Sequence, residues 1–408
     1  MEEGILERED FQESYTSWLQ NIRDFPSDPV FGIHEAFCKD SRKEKVDLSV
    51  GIFVEQDGFE PKILRSVFLS EEFILQMQRT KMYLPIDGDS HYLALTKRFI
   101  FGDLVDKYHV YGAQSVGGTS ALHVLGTFLK NEISQKIILS DPTWGNHRQI
   151  FSFLNFHIKN YPYWKEGKLF FDKMCDFLFQ EEAGSIVLLQ PAGHNPSGAD
   201  LSAEQWEELA CLFLKRKLIP LFDNAYQGFH DDIVQDSFPM RLFIEKGIDC
   251  FVAHSFSKSF ALYGERVGAL FVATKEPFLE DRLRRNICSL IRPNYSNPPI
   301  HGACIVKHIL RTPDLFHLWQ EEFAHLRKRL QELRNIFVQE LEREGVCRDF
   351  HYIRKGHGLF TLLSLTKEQV MQLQNQFGIY MTFDSRINIA ALNQNNMAYV
   401  TKTLSCIL

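Results

Sequence analysis

The chain has 408 residues, 45% of them hydrophobic and 24% charged, enough to bury a large core and to build more than one domain. Acidic residues outnumber basic ones by 52 to 45, and the net charge of -7 argues against nucleic acid as the main partner. No run approaches the roughly 18 apolar residues needed to cross a bilayer, so no helical membrane span is expected.

The first ten residues are acidic where secretory and transit peptides are basic, so no targeting segment is visible and the cytoplasm is the expected compartment. Residues 1–24 read as a charged arm that stops at Phe25-Pro26-Ser27-Asp28-Pro29, because each proline lacks an N–H and restricts the residue before it. His34-Glu35-Ala36-Phe37-Cys38 misses the H-E-x-x-H zinc pattern at its fifth position, and the eight cysteines include no C-x-x-C pair. Neither a metal site nor a disulfide framework is expected.

Short apolar runs then alternate with helix-like segments to about residue 310. The runs at 136–140, 185–190, 218–223, 251–254 and 269–272 read as buried strands. Between the second and third, Ser202 and Gln205 form a capping-box pattern ahead of Leu209, Leu212 and Phe213 at helical spacing. Strand, helix, strand in that order implies a parallel βαβ unit. Thr312-Pro313 opens a long amphipathic helix whose apolar stripe runs through Phe316, Trp319, Phe323, Leu326, Leu330, Leu333 and Phe337 towards Gly345. The change of texture there predicts a smaller α+β domain after an α/β one.

Four segments carry groups that could do chemistry. Ser255-Phe256-Ser257-Lys258 follows an apolar strand, with Arg266 shortly after it. A lysine at a strand end is most often a solvated surface residue; it attacks a carbonyl only where burial or neighbouring cations keep it neutral. Phe222-Asp223-Asn224-Ala225-Tyr226 puts a carboxylate where ligands dock in α/β sheets, although a helix-capping Asp is the commoner case in isolation. Gly193-His194-Asn195-Pro196-Ser197-Gly198 is a turn after another strand, and Val116-Gly117-Gly118-Thr119-Ser120 is a glycine-rich turn entering a helix whose N–H groups could hold phosphate.

Taken together with Thr80-Lys81-Met82-Tyr83-Leu84-Pro85-Ile86-Asp87-Gly88, Pro142-Thr143-Trp144-Gly145-Asn146-His147, Arg292-Pro293-Asn294-Tyr295-Ser296-Asn297-Pro298-Pro299 and Ser385-Arg386-Ile387-Asn388, the order of these segments resembles the aspartate aminotransferase family of fold-type I pyridoxal-phosphate enzymes. The likeness runs from about Phe25 to the C-terminus. It implies an α/β fold: an N-terminal arm (1–24), the N-terminal part of a small domain (25–57), a large cofactor-binding domain with a mostly parallel sheet flanked by helices (58–311), and the C-terminal part of the small domain, a long linking helix followed by α+β structure (312–408).

The resemblance also implies roles. Lys258 would hold pyridoxal 5'-phosphate covalently and shuttle a proton between the substrate α-carbon and the cofactor. Asp223 would pair with the pyridinium nitrogen, and Tyr226 and Asn195 with the ring oxygen. Gly118, Thr119, Ser255 and Arg266 would form a phosphate cup, joined by Tyr83 of the other subunit, while Trp144 would stack on the ring. Arg386 would grip the substrate α-carboxylate and Arg292, from the neighbouring subunit, a distal carboxylate, with Gly51 beside the substrate. The expected protein is a homodimer with shared active sites that moves the amino group of aspartate to 2-oxoglutarate by a ping-pong route. Its partners would be small amino acids and 2-oxo acids, with no nucleic acid and no membrane.

Some positions depart from the family pattern: Ser120 stands where a second glycine is common, Pro293 follows Arg292, and Ser49 and Phe53 flank Gly51 where Gly and Tyr are frequent. Three other readings compete. Aromatic amino acid aminotransferases of the same subfamily retain both arginines, and nothing in the sequence separates them from the aspartate enzymes. Ser255-Phe256-Ser257-Lys258 is formally an S-x-x-K motif, but the S-D-N and K-T-G triplets that accompany it in penicillin-binding proteins are absent. A ligand-sensing module of a transcription regulator would need a DNA-binding domain ahead of residue 25, where only an acidic arm stands.

Overall fold

The computed structural model describes residues 18–24, 28, 30–53 and 63–408. Of the expected stop at 25–29 only Asp28 lies among them, and its carboxylate accepts from the N–H groups of Val30 and Phe31.

Seven strands form the central sheet: β1 (His109–Val116), β2 (Lys136–Asp141), β3 (His157–Pro162), β4 (Ile186–Leu189), β5 (Ile219–Asn224), β6 (Cys250–Ser255) and β7 (Val267–Thr274), in spatial order β1-β7-β6-β5-β4-β2-β3. The five runs read as strands from the sequence are β2, β4, β5, β6 and β7. Adjacent pairs from β6 to β3 are parallel. Only β7 runs the other way, antiparallel to both β6 and β1. The sheet is therefore mixed with a parallel majority.

Side chains alternate across these strands. Phe222, Val252, Ala269 and Phe271 pack into one core, and Leu221, Phe251, Ala253, Leu270 and Val272 into another on the opposite face. Burial on both faces explains why the strands read as continuous apolar runs. The βαβ unit forms as expected: helix Ala203–Arg216 joins β4 to β5 with Ile186 opposite Ile219, and Ser202 and Gln205 close a reciprocal capping box.

The long helix spans Pro313–Arg343, about 46 Å at 1.5 Å per residue. Its stripe is core: Trp319, Phe323, Leu330, Leu333 and Phe337 are all buried. Trp319 stacks on Phe260, centroids 4.4 Å apart, and its Nε1 donates to the Ser259 carbonyl at 3.0 Å. The helix thus braces the loop that carries Lys258. It also buries a cation that the stripe does not foretell. Arg334 is enclosed, donating to the carbonyls of Ile353, His357, Gly358 and Phe360.

Beyond that helix, short strands tie the two ends of the chain together. Phe360–Leu362 pairs antiparallel with Arg386–Asn388, and Val46–Asp47 pairs parallel with Ile379–Tyr380. The Asn388 N–H donates to the Leu48 carbonyl at 2.8 Å, which holds the 48–53 segment beside Arg386.

Candidate active site

Because β1, β2, β4, β5 and β6 point the same way, the segments that follow them meet at one edge of the sheet. There the structure gathers the 116–120 turn, Trp144, Asn195, Asp223 with Tyr226, and Ser255 with Lys258. The reversal of β7 matters equally. It starts at that same edge, with Gly268 opposite Ser255 and Val267 opposite Val116, so Arg266 arrives between the two.

The cup is built from close approaches. Gly117 has φ +71°, and a Cβ on it would come 2.6 Å from Arg266 Nη2. A Cβ on Gly118 would press against Ser255 Cβ at 3.2 Å. Arg266, itself at φ +56°, donates to the Tyr263 carbonyl at 3.0 Å and to Ser257 Oγ at 3.3 Å. Ser255 Oγ lies 3.1 Å from Ser257 Oγ. Thr119 stands in the first turn of helix Gly117–Glu132, where N–H groups have no intrahelical acceptor. A guanidinium, hydroxyls and a helix N-terminus converge on one place, which suits a dianion.

Asp223, the penultimate residue of β5, is buried, with Oδ2 2.9 Å from His147 Nε2; His147 Nδ1 in turn lies 2.8 Å from Thr143 Oγ1. This relay fixes the carboxylate, and Trp144 packs edge-on against His147 at 5.2 Å. Lys258 Nζ sits 5.4 Å from the Tyr226 ring centroid. Desolvation lowers the Lys258 ammonium to about 8; Asp223 pulls it upward, while Arg266 and Arg386 push it further down. A tenth or so of the amine is therefore already neutral near pH 7, as nucleophilic attack on a carbonyl requires. Burial raises the Tyr226 phenol, with Arg386 opposing it.

Arg386 is enclosed. Nη1 donates to Asn195 Oδ1 at 3.1 Å, Nη2 to the Ser49 carbonyl at 2.8 Å, and the guanidinium lies 4.1 Å from the Phe360 ring centroid. Its Nε is buried with no hydrogen-bond partner. Gly51 adjoins the same ring, and a Cβ there would meet Phe360 Cζ at 2.5 Å. Asn195 is locked by Gln190, whose amide accepts from its N–H at 2.9 Å and donates to its carbonyl at 3.1 Å.

Two expected site residues are not brought to this cluster by the chain's own fold. Tyr83 is 89% exposed, and Arg292 is exposed, with Ser296 Oγ as its hydrogen-bond partner. Sequence reasoning overlooked His147, Thr143, Gln190 and Ser257. His147 and Thr143 lie in the 142–147 motif and Ser257 in the 255–258 motif, so the signal was present. Nothing local marks Gln190.

The family model for aminotransferases of class I and II matches residues 43–404. Aspartate aminotransferase of Escherichia coli (strain K12) is 37% identical over 96% of this chain and 100% of its own length. Aspartate aminotransferase 1 of Medicago sativa is 36% identical over 94% of this chain and 93% of its own. Among solved structures, an aromatic-amino-acid aminotransferase of Burkholderia pseudomallei covalently bound to pyridoxal phosphate superposes with a TM-score of 0.92 at 39% identity, covering 96% of this chain and 100% of that one. The cytoplasmic aspartate aminotransferase of Saccharomyces cerevisiae gives 0.92 at 32% identity over 96% and 98%. With a family model and full-length relatives agreeing with a site of this composition, the chain belongs to the aminotransferases of class I and II.

Proposed function

We propose that the chain is a pyridoxal-phosphate aminotransferase that transfers the amino group of L-aspartate to 2-oxoglutarate. The observation that carries this is the desolvated Lys258 flanked by one buried carboxylate and two arginines.

The residues present fit the cofactor. The glycine-lined cup with Arg266, Ser255 and Thr119 suits its phosphate, and the His147-oriented Asp223 suits a protonated pyridine nitrogen. When bound, pyridoxal phosphate supplies an electron sink for the substrate α-carbon. Lys258 accepts the proton from that carbon and returns it on the cofactor side. Asp223, its Oδ2 held 2.9 Å from His147 Nε2, would pair with the protonated ring nitrogen. Tyr226 and Asn195 position the ring oxygen. Arg386 takes the α-carboxylate, its fork already aimed by Asn195, Ser49 and Phe360.

The same reading makes the active protein a cytoplasmic homodimer. Tyr83 and Arg292 then complete each site from the neighbouring subunit, which accounts for their exposure alongside Leu75, Met77 and Met82. We further read 25–57 and 312–408 as one small domain, on the strength of the Val46–Asp47 pairing with Ile379–Tyr380. A second reading, acceptance of aromatic substrates as well, is supported by the solved aromatic relatives.

The test is the visible spectrum of the cofactor-loaded protein on addition of L-aspartate without a keto acid. Conversion of the lysine-bound band to the pyridoxamine form is expected. A band that aspartate leaves unchanged removes the dicarboxylate reading, and L-tyrosine in place of aspartate ranks the two substrates.

A further inference from the structure

We propose that the cavity between the long helix, the loop after β5 and the turn ahead of the strand Phe360–Leu362 binds a phosphate dianion, free or as the monoester of a small molecule, at a site separate from the cofactor's. The cavity measures about 330 Å³, at the lower end of the roughly 300–1,000 Å³ of small-molecule sites. Helix positions 324, 327, 328, 331 and 334 form one wall of it, because residues three and four apart share a face. That stripe brings Arg327, Lys328 and Arg334 to the cavity, and His230 and His357 line it from the loop and the turn. Among the described residues no carboxylate lines it.

The positive charge of this lining is not cancelled within the chain. Arg334 gives its N–H groups to four carbonyls, and Arg327 gives one, from Nη1, to the Gly228 carbonyl at 2.9 Å; among the described residues neither pairs with a carboxylate. Arg334 therefore supplies charge without free donors. Arg327 keeps the rest of its fork, since its other N–H groups meet no acceptor among the described residues. Lys328 Nζ lies 3.9 Å from Glu332, an exposed pair four residues apart of the kind that contributes little.

The two histidines are oriented to add donors. His230 Nδ1 is 3.2 Å and His357 Nδ1 3.5 Å from Asp200 Oδ2, and the rings stack with centroids 3.6 Å apart. With both Nδ1 atoms turned to Asp200, both Nε2 atoms lie on the far side of the rings. Burial by itself lowers the His230 imidazolium, but Asp200 outweighs it and the pKa is raised, which favours the charged ring. Asp200 does not repel an anion unopposed, because its carboxylate also accepts the N–H groups of Gly193 and His194 at 2.9 Å each. Asp231, 3.8 Å from His230 Nε2, is exposed and stands outside the lining. A guanidinium fork, an ammonium and imidazole N–H groups arriving from three segments suit a tetrahedral oxyanion better than a planar carboxylate. Two guanidinium charges without a partner carboxylate match the nearly two charges of a phosphate monoester.

The test uses the cofactor-loaded protein, whose own phosphate cup is filled, in chloride buffer at constant ionic strength. Equilibrium dialysis against labelled inorganic phosphate should give about one ion per chain, with a rise in Tm at saturation. The double variant R327Q/K328Q and the single variant H230N should each weaken that binding by about 10- to 100-fold, the range for losing a hydrogen bond to a charged group. An unchanged cofactor spectrum certifies their fold. Arg386→Ala should leave phosphate binding intact. Glycerol 1-phosphate binding more tightly than phosphate would identify a monoester as the ligand, and equal binding would identify free phosphate. Absence of saturable binding to the wild type, or undiminished binding in both variants, overturns the proposal. So does loss of binding in Arg386→Ala, which would put the anion in the substrate site.

Discussion

Arg386 and Arg292 are expected to grip opposite ends of one substrate, yet the chain treats them differently. Arg386 is buried, held by Asn195, the Ser49 carbonyl and the Phe360 ring. Arg292 is exposed and hydrogen-bonds Ser296, four residues along the same segment. A guanidinium with three distant partners is positioned before substrate arrives, and little ordering entropy remains to be lost when it binds. One held by a near neighbour on the surface must be ordered by something else. The contrast separates the part of the site that one chain finishes from the part it leaves for an assembly to complete.

The largest expected effect falls on the finished part. Lys258→Ala should lower kcat by about 10⁴-fold, the upper end for a positioned acid–base group, with the circular dichroism unchanged; turnover within a few-fold of the parent would remove Lys258 from the proton path. Next comes the contrast itself. Arg386→Ala should lower kcat/KM on aspartate by roughly two to almost four decades, since breaking a buried ion pair costs about 3–5 kcal/mol, and should also lower Tm, because its hydrogen bonds join the 48–53 segment to the 193–198 loop. Arg292→Ala should lower kcat/KM on aspartate by a comparable factor, about 2–5 kcal/mol, and leave Tm nearly unmoved. Equal losses of Tm in the two variants would erase the distinction.

Mixing sharpens it further. Lys258→Ala and Arg292→Ala should each lose most of their activity on aspartate, but in a mixed dimer one site receives Lys258 from one subunit and Arg292 from the other. Random exchange under two-fold symmetry should restore about a quarter of the parental activity. No recovery after verified exchange would place both residues in one subunit's site.

The smallest effect is on pH. The folded Lys258 titrates near 8, against 10.5 for the free side chain, so the cofactor-free protein should capture pyridoxal phosphate faster as pH rises to about 8 and level off above it. The sign for stability follows. Between about 8 and 10.5 the unfolded chain holds a proton that the folded one has released, so Lys258 makes the cofactor-free protein more stable as pH rises through that window. Lys258→Met should flatten both profiles.

Legibility in the sequence followed burial. Strands β2, β4, β5, β6 and β7 were readable because both their faces are covered and apolar residues dominate there. Strand β3 was not, since it is an edge strand, mostly half-buried or exposed, and ends in Pro162. Strand β1 was missed because Gly112, Gln114 and Ser115 break its apolar run. In the site, residues within short motifs were found. Gln190 was not, because what it does is to brace a loop five residues on.

The amino-acid sequence by itself determined the element types, the capping box at Ser202 and which side chains could carry acid, base and anion-binding chemistry, since periodicity and turn chemistry are local properties. Only the tertiary structure decided that β7 runs backwards and brings Arg266 to the cup, that Arg334 lies buried among carbonyls, that Arg386 meets a carbonyl 337 residues away, and that Asp200, His230 and His357 converge. The physical reason is common to all four. Strand direction, sheet order and the packing of loops against each other arise from contacts between distant segments, and no local pattern encodes which distant groups will share a place.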